Sequence, residues 1–382
     1  MSTSSSRGKI RGFMLTALTL AVTLTGAGCG KDGGGLTDPG PGGPDPVDPG
    51  PSDPGPEPAP APVGQVVYAV DLENNFLVFG TESFDVLSGQ ARIAGLPILK
   101  RIIGIVYRPS NGKLYGVGND SRVYTIDPST AVATPVSDQQ FEPSIASFFE
   151  IHFAMALEPN GSRVRLISTE GGGNWSISLD DGTATMGEKV HFATGDPNEG
   201  KTPHITAVVF APPSPTAALK AGGSLASSSN PCTELMYMID PELAMYIGSC
   251  DANSGDMGTL GPIEDVAWAR CMEVMTDPDG DVIPSEGNPY GMGGAFVAAM
   301  RSLQPSTVRA ASTAALVTEE LNSWGTINPD GTINWLGHTR GKAIQTATIA
   351  PAGTADVSRL APLTRVDTEM QASVTPPARC GS

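Results

Sequence analysis

Residues 101–136 read RIIGIVYRPSNGKLYGVGNDSRVYTIDPSTAVATPV, and the order of signals in them decides the fold. An apolar run ends at Pro109, Asn111-Gly112 reverses the chain, LYGVG follows, Asn119-Asp120 reverses it again, and VYTI leads into Asp127-Pro128. Gly and Asn accept positive φ and Pro fixes it, so each interruption reads as a tight turn between short strands. The stretch predicts four antiparallel strands, with Lys113 and Arg122 as solvated charges at strand ends. It reads as one tile of a scaffold rather than as a binding site.

The tile recurs. EIHFAMALEPNGSRVRLISTEGGGNWSISLDDGTATM at 150–186 keeps the same frame of apolar strand, Pro, Asn-Gly, strand, strand and acidic turn. A third copy opens at HITAVVFAPPSP (204–215), is interrupted by TAALKAGGSLASSSN, and resumes as TELMYMIDPELAMYIGSC. A looser copy runs from VAWARCMEVM through GGAFVAAM to LNSWGTINPDGTINWLGHT. Residues 66–96 supply three strands of a unit lacking its first, and KAIQTATIAP at 342–351 supplies a first strand lacking the rest. The repeat length of about 40–50 residues is that of a propeller blade, whereas a sandwich has no such self-similarity. The reading is therefore all-β: a five-bladed β-propeller of four-stranded antiparallel blades, closed by the N- and C-terminal strands. Six blades remain the alternative if the long last unit hides another. Closure removes open sheet edges, which otherwise pair without control.

Three segments carry a family resemblance: IIGIVYRPSNGKLYGVGNDSRVYTIDPST at 102–130, HFATGDPNEGKTPHITAVVF at 191–210 and ATIAP at 347–351. Over nearly all of residues 65–351 the chain resembles the bacterial family known as domain of unknown function 4394. The resemblance implies a secreted, β-propeller-like domain and brings no activity. The chain departs from the family pattern at Thr130-Ala131, where Thr-Gly is common, in insertions at 216–230 and 276–291, and in its added cysteines.

Composition agrees with strands and loops, since 46 Gly and 34 Pro in 382 residues are too many for a helical protein. The formal charge is −17, and Arg7, Lys9 and Arg11 are the only charges before Cys29. The remainder sets 20 cations against 40 acids, a net of −20 that repels nucleic acid and anionic headgroups. No nucleic-acid partner is expected.

The N-terminus, MSTSSSRGKIRGFMLTALTLAVTLTGAGCG, has a basic segment, an apolar stretch and small residues before Cys29, the layout of an export signal. Its apolar run from Phe13 to Leu24 has 12 residues, whereas a spanning helix needs about 20. TGAGC at 25–29 resembles a lipoprotein signal, with Gly26 where Leu is usual. The expected layout is a signal peptide at 1–28 and a lipidated Cys29. A Pro/Gly/Asp linker then runs to residue 64, followed by the propeller at 65–351 and a tail at 352–382. The alternative is ordinary cleavage near Ala27 with Cys29 a stray thiol. Gly30 rather than Asp after Cys29 favours the outer membrane, on its periplasmic or exposed side. At about 3.1 Å per residue the linker reaches roughly 100 Å.

Four cysteines follow: Cys232, Cys250, Cys271 and Cys380. An even number in an exported chain favours disulfides, with three possible pairings. A hairpin centred on Pro241 places Cys232 opposite Cys250, leaving Cys271 for Cys380; free buried thiols are the alternative. Metal binding by these cysteines is not expected, because no C-x-x-C is present.

Chemistry is sparse. No G-x-S-x-G elbow, P-loop or dinucleotide fingerprint is present. His152, His191, His204 and His338 are scattered; His191 and His204 bracket GDPNEGKTP, and a metal site there is the lesser reading. Trp175, Trp268, Trp324 and Trp335 are expected as blade-packing aromatics, with a sugar-stacking face as the alternative. Asp277, Asp279 and Asp281 in TDPDGDVIPSEGN alternate as the first half of a Ca²⁺ loop does, but Val282 and Asn288 stand where Gly and Glu are needed. Ca²⁺ is thus the one cofactor in view, set against a plain solvated acidic turn. An envelope-anchored binding or scaffolding module, taking a protein or glycan ligand, ranks ahead of an enzyme. The alternative is a propeller hydrolase acting on glycans or lactones through carboxylates or a bound Ca²⁺.

Overall fold

A computed structural model describes residues 60–83, 86–145, 153–168, 172–211, 232, 235–263, 269–273, 296–302, 320–327, 333–340, 344–357 and 359–360, with the backbone alone between 269 and 340. The described chain is all-β. β1 (Val66–Asp71), β2 (Asn75–Gly80) and β3 (Gly89–Arg92) form one meander. The next is β4 (Ile102–Arg108), β5 (Lys113–Gly118), β6 (Val123–Asp127) and β7 (Val132–Pro135), the four strands of the 101–136 tile. A third comprises β8 (Phe153–Leu157), β9 (Arg163–Ser168), β10 (Asn174–Ser178) and β11 (Ala184–Met186).

The fourth sheet joins β12 (His191–Phe192), β13 (Ala207–Ala211), β14 (Leu235–Asp240), β15 (Met245–Ser249) and β16 (Asp256–Pro262). The fifth is β17 (Ala269–Glu273), β18 (Phe296–Ser302), β19 (Glu320–Ile327) and β20 (Ile333–Arg340). The final strand, β21 (Ile344–Ala350), returns to pair antiparallel with β1, so the first sheet reads β21-β1-β2-β3. Both ends of the domain thus complete one sheet.

The innermost strands run round a ring. β21 lies against β4, β4 against β8, β8 against β13, β13 against β17, and β17 against β21. This is a β-propeller arrangement of small sheets. The inner strands β4, β8, β13 and β21 are largely buried, which is why IIGIV and AVVFA read as continuous apolar runs rather than alternating ones. Ile102 and Ile105 pack with Val66, Tyr68, Phe76 and Val78 of the first sheet. Ile103 and Val106 pack with Phe153, Val164 and Leu166 of the third. Strict alternation would put Ile102 and Ile105 on opposite faces. A register shift makes Ile103 an extra residue, and the parity flips beyond it. Similar shifts fall at Gln345 of β21 and at Arg270 of β17.

Turn chemistry follows the tile. Gly112 and Gly161 take φ +68° and +66° after Asn111 and Asn160, whose side-chain oxygens accept from the Lys113 and Ser162 amides. Ala131 sits at φ +54°, a left-handed backbone that this chain holds with a strained residue.

Three expectations need correction or lie elsewhere. The fourth sheet has five strands, because His191–Phe192 runs parallel to β16 as an added edge. Its loop is clamped there: Asp196 accepts from the Thr259 amide at 2.6 Å and the Thr259 hydroxyl at 2.7 Å. The hairpin centre is displaced too. Met236 pairs with Ser249 and Asp240 with Met245, which centres the turn beyond Pro241 and puts Cys232 outside the ladder, because a longer turn follows Asp240. The Cys232–Cys250 disulfide nevertheless forms, with Cα atoms 5.3 Å apart. Cys271 lies on β17 and Cys380 outside the described residues, as do Cys29 and the whole linker up to residue 59.

The disulfide closes a loop between residues 18 apart. On chain entropy this is worth about 3 kcal/mol. The double variant Cys232→Ala, Cys250→Ala is expected to lose about that much in urea unfolding, and the parent should lose it on reduction. A loss below about 1 kcal/mol would show that this hairpin is held by its ladder alone.

Candidate functional site

The end of the ring where the inner strands begin collects the connections between sheets and the turns between second and third strands. Aspartates recur in those turns. Asp71 accepts from the Glu73 and Asn75 amides at 2.9 and 2.8 Å. Asp240 accepts from Glu242, Leu243 and His204 amides. Asp120, buried at 4 % exposure, accepts from the Tyr124 hydroxyl at 2.7 Å and from Arg122 at 3.1 Å. Burial first, and the Asp120 hydrogen bond next, raise the Tyr124 phenol well above its ordinary range. These carboxylates organise turns and accept from them, although the buried Oδ1 of Asp120 has no hydrogen-bond partner.

Two of the same turns also fasten the start of β4. The Ile102 amide donates to Asn74 Oδ1 at 3.0 Å, and the Arg101 amide to Asn119 Oδ1 at 3.1 Å. Arg101 is half-buried, its Nε has no hydrogen-bond partner, and burial pulls its guanidinium down from the usual range.

Just before it, Pro97–Lys100 forms a turn closed by the Lys100 amide on the Pro97 carbonyl at 3.0 Å. Its corners are Ile98 and Leu99, 90 % and 94 % exposed, and Leu99 has φ +63°. Sequence reasoning missed this feature. A Leu in place of the Gly such a turn prefers was the available signal.

Deeper in the ring the inner strands bring together hydroxyl and apolar groups. Thr346 Oγ1 accepts from the Ile105 amide and Thr348 Oγ1 from the Tyr107 amide, at 3.1 and 3.0 Å. A Cβ on Gly104 would meet Met155 Sδ at 2.9 Å. The inner strands IQTATIA, IIGIVYR, FAMAL, AVVFA and ARCME contain one carboxylate, Glu273 at the end of β17. Glycoside hydrolysis needs two carboxylates facing one substrate, and these strands do not supply a pair.

At the opposite end of the second sheet, an open groove of about 330 Å³ is lined by Lys113, Leu114, Thr125, Asp127, Val132 and Thr134 among others. It falls on the tile that the sequence assigns to scaffold. Burial alone raises the Asp127 carboxyl, but the Ser129 hydroxyl and amide outweigh it and leave it below the usual range. Asp181, in the equivalent turn of the third sheet, is held at about 2 by the Thr183 amide and the Ser178 and Thr183 side chains.

The other candidates separate. His191 Nε2 lies 3.0 Å from Asp256, while His204 Nδ1 faces Glu242 at 3.6 Å, so the two histidines have different partners. Among the described residues no group of three or more His, Cys, Asp or Glu is gathered for a metal ion. Asp277, Asp279 and Asp281, together with His152 and Trp268, lie outside the described residues. Trp175 is buried and its Nε1 donates to the Pro143 carbonyl at 2.9 Å, a packing role. Trp324 lies on β19, and Trp335 and His338 on β20.

The family signature accounts for much of this architecture. Residues 75–333 match the family described as domain of unknown function, DUF4394. The chain belongs to the DUF4394 family. The DUF4394 match spans the ring from β2 to the start of β20. No curated protein matches the chain. Among solved structures it is similar to the "Nidogen/Laminin Complex", at 10 % identity and TM-score 0.37, covering 75 % of this chain and 98 % of that one. It is also similar to a protein of unknown function from Bacteroides thetaiotaomicron, at 12 % identity and TM-score 0.37, covering 77 % and 63 %. A protein of unknown function from Bacteroides caccae matches at 8 % identity and TM-score 0.34, covering 75 % and 98 %.

Proposed function

We propose that this DUF4394 protein is a lipid-anchored, envelope-exposed binding or scaffolding module built on a five-bladed β-propeller. Each of the five sheets contributes one inner strand to the ring, which supports counting each sheet as a blade. Acylation at Cys29 fixes the chain to the outer membrane, and the linker of residues 31–64 lets the domain stand off or lie down.

One observation carries the binding reading over the catalytic one. Thr346 and Thr348 of β21 are taken up in holding β4, whereas the end where the inner strands begin presents an exposed apolar turn beside cations. Rigid scaffolds with variable surface loops are the usual platform for recognition. A protein or glycan ligand on that end is the proposed partner class.

Intact mass spectrometry of the protein extracted from membranes tests the anchor. The expected N-terminus is an acylated Cys29, with membrane association lost in Cys29→Ser. An unmodified N-terminus at another position would remove the envelope part of this reading.

A further inference from the structure

The Pro97–Lys100 turn has the properties of a membrane-contacting tip. Two large aliphatic side chains stand at its corners almost fully in water, at 90 % and 94 % exposure. They are consecutive and held outward by a backbone hydrogen bond across the turn. Leu99 occupies φ +63°, a conformation that favours Gly and strains a side chain. A bulky apolar residue that is strained and exposed contributes nothing to the fold that Gly would not supply better. Its side chain is available for a contact made outside the molecule.

Charge indicates which contact. In a chain of net −17, residues 86–119 contain Arg92, Lys100, Arg101, Arg108 and Lys113 and no acid. Arg108 is paired with Asp180 across sheets, but Arg92 is exposed and Arg101 half-buried on either side of the turn. Apolar corners flanked by cations match the interface of a bilayer with anionic headgroups, where aliphatic groups bury at the acyl boundary and Lys or Arg remains among phosphates. The Asp71, Asp120 and Asp240 carboxylates at the same end are buried in their own turns, and the exposed acid next along the chain from Asn74, which holds Ile102, is Glu73. A convex tip of two side chains is weak alone. It suits a domain already tethered by a linker, which raises the local concentration of membrane around it.

We infer that the Ile98-Leu99 turn inserts into the interface of an anionic bilayer and docks the propeller onto the membrane. This rests on the anchored-module reading, deepening it from a tether to a two-point attachment.

The test uses the full mature chain carrying Ile98→Trp, mixed with vesicles of phosphatidylethanolamine and phosphatidylglycerol bearing brominated acyl chains. The parent protein provides the baseline from its native tryptophans. The added indole is expected to shift to the blue and be quenched by brominated lipid, severalfold more than in phosphatidylcholine vesicles. Arg92→Glu with Lys100→Glu should remove most of that quenching. Leu99→Gly should lower it as well while leaving or raising the melting temperature, an outcome that a purely structural Leu99 would reverse. An added indole that behaves in anionic vesicles as it does in buffer overturns the inference. A blue shift without lipid quenching also overturns it, in favour of an apolar protein partner or a second copy. Mass spectrometry of the same sample reports Cys29 separately. An acylated chain with an unquenched indole sinks this inference alone, and an inserting turn on an unacylated chain sinks only the anchor.

Discussion

A chain ending at residue 341 loses cooperative folding. It lacks β21, whose six buried residues among seven complete the first sheet and stand between β4 and β17. Without it, β1 exposes the ladder edge that pairs Val66 with Ala350 and Ala69 with Ala347. The buried amide of Ile105 and the partly buried amide of Tyr107, both on β4, lose the Thr346 and Thr348 hydroxyls that accept from them. An orphaned buried donor costs about 1–3 kcal/mol, and total stability is about 5–15 kcal/mol. The deletion is therefore expected to abolish the sigmoidal thermal transition by circular dichroism. A chain ending at residue 361 keeps β21 and the buried Leu360, which packs on Gly89, and should still melt cooperatively. A cooperative melt of the shorter chain, within a few degrees of the parent, would show that the ring does not depend on closure by its two ends. Thr346→Val and Thr348→Val isolate the hydroxyl contribution, each expected to lose about 1–3 kcal/mol.

Arg165→Met is expected to destabilise by about 3–5 kcal/mol, the usual result of stripping one member from a buried ion pair. Arg165 is 3 % exposed and reaches Glu158 at 2.9 Å, Asn174 Oδ1 at 3.0 Å and Asn253 Oδ1 at 3.0 Å. Burial pulls its guanidinium down from its ordinary value and the Glu158 charge draws it back up.

The cluster fastens the third sheet to the fourth: Asn174 Nδ2 donates to the Ala252 carbonyl at 2.7 Å, and the Glu188 amide to the Asn253 carbonyl at 2.8 Å. Beside it, a Cβ on Gly255 would lie 2.4 Å from the Lys189 carbonyl, so that approach tolerates no side chain. Removing Arg165 strands the Glu158 carboxylate, at 8 % exposure, without its counter-charge. The double variant Arg165→Met, Glu158→Gln should recover a large part of the loss, because no uncompensated charge is then buried. Urea unfolding of the single and double variants reads both. A single variant within about 1 kcal/mol of the parent would mean that water reaches Glu158 and the cluster is peripheral.

Strand order and turn positions were legible because they rest on local rules. Asn-Gly at 111–112 and 160–161 turns wherever it occurs, and a run such as IIGIV cannot stay in water. The pairing of KAIQTATIAP with VVYAVD was legible too, because each end lacked what the other supplied. The Cys232–Cys250 pair was legible from the hairpin expected between the two cysteines, but its register was not, since turn length after Asp240 depends on how His204 and Leu243 meet that carboxylate.

What the sequence by itself determined is therefore an all-β chain of repeated strands. Only the tertiary structure decided which neighbour each apolar residue meets. The extra residue at Ile103 reverses the facing of every later residue in β4, and a pattern of consecutive apolar residues carries no parity to reveal it. Only the tertiary structure showed Arg165 beside Asn253, 88 residues away, or Ile98 and Leu99 in water. Hydrophobicity along the chain says that a side chain favours burial; whether anything is there to cover it depends on contacts that chain proximity does not encode.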